Sequence, residues 1–118
     1  MSTLQEMLSR AEKEKSSTYD EVTKTDWINY VNQKVSNEIL KQAELPVLSY
    51  PADSQTALLV PAPYDVMYLY YVYAQIDMLS MDIESYNNYV SAYNDAFDDY
   101  RRYYIRNNLP KARYITGL

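Results

Sequence analysis

The chain has no cysteine, no histidine and a single glycine, Gly117, among its 118 residues. Without cysteine there are no disulfide staples, no zinc–thiolate sites and no thiol nucleophile. Without histidine the commonest general base at neutral pH and the commonest imidazole metal ligand are missing. One glycine leaves little scope for tight positive-φ turns, which argues against an all-β barrel or sandwich and excludes glycine-rich phosphate-binding loops. No apolar run approaches the roughly 20 residues that span a bilayer. The opening residues, Met1 to Glu6, lack the basic and apolar regions of a signal peptide. These absences lead to the expectation of a chain that is not an enzyme and uses no cofactor or metal. They also point away from membranes, to the cytosol or the inside of an assembled particle. The length suits one domain, 1–118, with one modest core.

What remains is a helical pattern. Two overlapping capping boxes, Ser2 with Gln5 and Thr3 with Glu6, precede Leu4, Met7, Leu8 and Ala11, a stripe spaced for a helix over about 3–14. Thr18, three before Glu21, signals a second helix over about 19–44, with Trp27, Ile28, Val31, Val35 and Ile39 on one face. Trp27 reads either as a core anchor or as a binding hot spot. Pro46, Pro51, Pro61 and Pro63 then forbid regular helix over 45–63. That segment reads as an extended arm, with a short β-hairpin turning near Pro51 to Ser54 as one form. A connection this long is often functional.

From Tyr64 to Asn108 there is neither glycine nor proline. Leu69, Val72, Ile76, Leu79, Ile83, Tyr86, Val90, Tyr93, Phe97, Tyr100 and Tyr104 alternate spacings of three and four, a heptad seam. It is compatible with one helix about 54 Å long. It is equally compatible with a hairpin of helices over 64–79 and 82–107, broken near Ser80-Met81-Asp82, where Ser80 and Asp82 are suitable N-caps. The fold expected is therefore all-α, a small bundle of about four helices with a proline-rich arm between the second and third and an extended tail over 109–118.

Twelve of the fifteen tyrosines follow residue 63, on several faces of the helical pattern. Tyrosine suits surfaces that become partly dry, so burial against neighbouring subunits is one reading and a tyrosine-rich core and rim the other. Charge is also divided. Residues 64–100 carry seven acids and no base, whereas 101–118 carry Arg101, Arg102, Arg106, Lys111 and Arg113 and no acid. This switch reads as complementing a helix dipole, as a head-to-tail contact between copies, or as a weak nucleic-acid footprint given a net charge of −5. Asp95, Asp98 and Asp99 share one helix surface; a solvated acidic face accounts for them better than an oxygen-ligand cation site, for which nothing else converges.

The stretches around Trp27-Ile28 and Glu38-Ile39, then Leu58-Leu59-Val60-Pro61-Ala62-Pro63-Tyr64-Asp65, Tyr68, Tyr70-Tyr71, Ala74-Gln75-Ile76-Asp77, Tyr86-Asn87-Asn88, Tyr103-Tyr104 and Arg106 give the chain a specific likeness. Across about 19–111 it resembles the head–tail connector, or adaptor, proteins of tailed phages and prophages of Gram-positive gut bacteria. Members often have an Asn-Gly-Glu-like turn between the last two helices; Ser80-Met81-Asp82 departs from it.

The resemblance implies an all-α virion structural protein at the neck, assembled in the host cytoplasm. It implies a self-associating ring, a dodecamer in such systems, that binds the portal and the next neck or tail protein. Genomic DNA would pass through its channel without specific binding. In such a ring the expected subunit interface comprises Tyr68, Tyr71, Tyr89, Asp95, Asp98, Asp99, Arg101, Arg102, Tyr103 and Arg106. The expected portal or neck contacts are Leu58, Leu59, Val60, Lys111, Arg113, Tyr114 and Ile115. The competing expectations are another neck or tail-completion protein, and a helical regulatory or nucleic-acid-binding module.

Overall fold

The computed structural model describes residues 2–42 and 45–108. They form four α-helices: α1 (Leu4–Glu14), α2 (Glu21–Val35), α3 (Val66–Leu79) and α4 (Ile83–Asn107), with a π-helical turn, Ser36–Leu40, continuing α2. The architecture is all-α, as the periodicity predicts, and the described residues contain no strand beyond an isolated bridge between Thr3 and Ala57.

Of the two capping boxes in the sequence, the one at Thr3 forms. Its hydroxyl accepts from the Glu6 amide at 3.2 Å, and the Glu6 carboxylate accepts from the Thr3 amide. Ser2 is drawn away instead, donating its hydroxyl hydrogen to the buried Asp65. The α1 stripe of Leu4, Met7, Leu8 and Ala11 is fully buried. The second helix starts later than its sequence signal: Asp20, not Thr18, is the N-cap, accepting from Thr23 at 2.9 Å. Asp20 sits nearer the Thr23 amide it caps, and its charge suits the positive end of the helix.

That helix also ends before the predicted residue 44. Lys41 takes a left-handed φ of 54°, and the Gln42 amide reaches back to the Ser36 carbonyl at 3.0 Å. Trp27 is half-buried, edge-on to Tyr19 and packed against the core.

The arm does not fold on itself as a hairpin. It lies across two helices, which complete its backbone hydrogen bonds. Leu4 and Gln5, whose amides have no partner within α1, donate to the Thr56 and Ser54 carbonyls, and Leu58 donates to Ser2. On α2, Asn29 both donates to and accepts from the backbone of Leu48, each at 2.9 Å. Gln33, one turn on, does the same with Leu45. A self-paired hairpin would leave these amides and the helix N-terminus unserved, so the arm pairs outward. Leu58 and Val60 enter the core. Tyr68 on α3 fastens this end of the arm, its hydroxyl donating to Asn32 at 2.5 Å and accepting from the Val60 amide at 3.0 Å.

The heptad seam resolves as a helical hairpin. Helix α3 ends in a Schellman motif: the Met81 amide bonds the Met78 carbonyl at 3.2 Å and the Asp82 amide bonds the Asp77 carbonyl at 2.9 Å. Met81 occupies the left-handed position at φ 63°, where glycine is the usual residue. Asp82 then caps α4 by accepting from Ser85. The break puts Leu79 and Ile83, both on the predicted seam, into solvent at the tip. The described residues are elongated, 56 × 35 × 21 Å.

Three charged groups lie inside: Asp65, bonded by Ser2 as above, Lys24 and Asp77. Lys24 is fully buried, with its ammonium 2.7 Å from Glu12 and 3.8 Å from Glu21. Asp77 is held by Lys15 at 2.9 Å and by the Ser85 hydroxyl, which ties the end of α1 to both arms of the hairpin.

Candidate functional site

Among the described residues no group of three or more acidic, histidine or cysteine side chains is placed to hold a metal ion. No helix there is long and apolar enough to cross a membrane.

Most of the tyrosines satisfy one another within the chain. Tyr30 of α2 stacks on Tyr71 of α3 at 5.0 Å, Tyr71 meets Tyr93 at 5.4 Å, and Tyr93 meets Phe97 at 5.9 Å. At the other end Tyr64 contacts Tyr100 and Tyr103 at 5.6 and 4.9 Å. Tyr89 lies between Tyr70 and Tyr73, with the Lys15 ammonium 5.2 Å from its ring centre. The several tyrosine faces that suggest subunit burial in the sequence are thus largely absorbed by packing between α2, α3 and α4. Burial pushes the phenols of Tyr68, Tyr73 and Tyr93 well above their ordinary value of 10 and raises Tyr71 and Tyr100 as well.

The expected contact residues divide accordingly. Tyr68, expected at a subunit interface, lies wholly in the core, where its hydroxyl bonds Asn32 and Val60 hide it from a second chain. Leu58 and Val60, expected to reach a portal, are likewise core residues; the arm bends inward at both. Leu59 between them is half-buried and lines a groove of about 350 Å³ with Pro46, Val47 and Leu48. Tyr71, Tyr89 and Tyr103 are half-buried against neighbouring rings.

The acid-to-base switch closes on itself within α4. Arg101 pairs with Asp98, while Arg102 bonds Asp98 at 2.6 Å and Asp99 at 2.7 Å. The arginines hold the Asp98 carboxyl below its ordinary range. Asp95 and Arg106 are exposed and make no ion pair among the described residues. Lys111, Arg113, Tyr114 and Ile115 lie outside the described residues.

Besides the groove at Leu59 and the exposed Val22, Val47 and Ile105, two features belong to the helical hairpin. The first is the hairpin tip, where Met78, Leu79, Met81 and Ile83 are 46, 55, 78 and 57% exposed. The second is a cavity of about 140 Å³ between α2, α3 and α4, lined by Tyr30, Lys34, Tyr71, Tyr86, Tyr93 and Asn94. The Tyr93 hydroxyl in it is buried without a hydrogen-bond partner. Sequence reasoning assigned neither feature. The tip residues are hidden in the heptad pattern, and their exposure follows only from where the chain turns.

Comparison with protein-family models, with curated proteins and with solved structures gives no match.

Proposed function

We propose that this chain is a virion structural protein, a head–tail adaptor subunit that self-associates into a ring between portal and neck and extends the DNA channel. One observation carries the self-association: the long hairpin ends in four exposed apolar side chains, Met78, Leu79, Met81 and Ile83, clustered at one tip, whereas the other exposed large apolar residues, Val22, Tyr30, Val47 and Ile105, are spread over α2, the arm and α4. Helix α4 adds to this, since only Tyr93, Ala96 and Tyr100 of its 25 residues are buried. The placement in a phage neck rests on the ordered resemblance of residues 19–111 to connector proteins.

Arg101 and Arg102 are already paired with Asp98 and Asp99, which disfavours the nucleic-acid-binding alternative. The reading is tested by sedimentation velocity and electron microscopy of the purified chain, alone and with portal rings. Ring-sized particles, or assembly on the portal, are the expected result. A chain that stays monomeric and ignores portal overturns it, and rings that bind only a lower neck protein move it one layer down.

A further inference from the structure

The residue that protrudes most from the tip occupies a backbone position made for glycine. Met81 completes the Schellman turn at φ 63° and is 78% exposed. A residue with a Cβ is disfavoured there, and Met81 recovers little of that by contacts in its own chain. Local strain around a side chain that serves nothing internally points to an external use. Its neighbours Asp82 and Glu84 are exposed acids, and no Lys or Arg occurs between residues 64 and 100.

The cavity between α2, α3 and α4 has the complementary needs. Its walls are tyrosine rings, those of Tyr30, Tyr71, Tyr86 and Tyr93. The Lys34 ammonium lies 5.9 Å from the Tyr93 ring centre and 5.3 Å from that of Phe97, and it makes no ion pair among the described residues, not even with Glu38 one turn on. At about 140 Å³ the space suits one long or aromatic side chain; an engineered cavity of roughly this size accepts benzene. Tyrosine walls favour a thioether, which contacts aromatic rings well. The chain's own tip does not fill it: Met81 is not among the lining residues and stands 78% exposed, although the lining on α4 begins at Tyr86, five residues further on.

We propose that the Met81 tip of one copy inserts into the Tyr30/Tyr71/Tyr93 cavity of a second copy. Glu84 then supplies the counter-charge for Lys34, while Asp82 stays engaged as the cap of α4. The contact is head-to-tail, the type that closes rings. It rests on the self-association proposed above and names the surfaces that carry it.

The absence of native cysteine makes the test direct. Two differently tagged variants, Ser80→Cys beside the tip and Asn94→Cys at the cavity rim, are mixed, assembled alone or on portal, and oxidised. A disulfide joining the two tags is expected in the mixture and in neither variant alone. Met81→Gly is expected to raise the melting temperature while weakening assembly at least tenfold, a pairing that a merely structural role would not produce. Assemblies that form without the mixed disulfide overturn the contact, as does an M81G chain that assembles like the wild type. In both cases the adaptor reading stands. A chain that assembles under neither condition removes both.

Discussion

The scarcity of glycine is felt at single residues. Two helix ends need a left-handed residue, and with the only glycine at position 117 the chain places Lys41 and Met81 there. Met81→Gly relieves a strain of about 1 kcal/mol, which a thermal melt of the monomer reports as a rise of a few degrees. Tyr68 is the opposite case, a residue fully committed to its own fold. Tyr68→Phe strands the Asn32 side-chain oxygen and the Val60 amide in the core. A loss of about 1–3 kcal/mol is expected by chemical denaturation, with the denaturant slope unchanged. That role was not legible beforehand. Tyr68 is among the residues expected at a subunit interface, and only the arm, folded over it, makes it core.

Among the elements, the arm depends most on a few side chains. Asn29 and Gln33 each hold a backbone peptide in both directions, a substitute for a neighbouring strand. Replacing both with Ala leaves the arm without these bonds while the α2 stripe stays intact. The expected result is faster proteolysis within 45–57 and faster hydrogen exchange at Leu45 and Leu48, with the helical signal retained. The α1 stripe stands where spacing predicts, and of the two forms the heptad seam allows the chain takes the hairpin, broken near Ser80 and capped by Asp82. The shifts that occur, Asp20 for Thr18 and an end at Leu40, fall at boundaries, where capping geometry chooses among adjacent candidates. The surface pairs of Arg101 and Arg102 are solvent-exposed and contribute little to the stability of α4.

At the scale of the molecule, the packed tyrosines give stability an alkaline limit. Burial raises the phenols of Tyr68, Tyr73 and Tyr93 in the folded state above their ordinary value of 10. The unfolded chain therefore releases protons first as pH climbs. The contribution is complete below the ordinary value and is lost as pH rises from there through the raised folded-state values. Unfolding is expected to become easier above about pH 10, and tyrosinate absorbance should rise in step with loss of helix rather than before it. The acid side runs the other way. Glu12, Asp20 and Asp98 are lowered by Lys24, by the Thr23 amide and by Arg101 respectively, so their contribution is present above the ordinary carboxylate range and fades below it.

Composition and spacing by themselves determined the class of fold, the helix stripes, the interruption by proline and the acid-to-base division of the last helix. These depend on neighbours within a turn or two, which the order of residues states directly. The tertiary structure decided which tyrosines face inward, that the arm lies on α1 and α2 and not on itself, and that Arg101 and Arg102 are paired within their own helix. It also turned a heptad seam into a hairpin with an apolar tip beside an unfilled aromatic cavity. Such juxtapositions join residues far apart in sequence, and periodicity has no term for where a chain folds back.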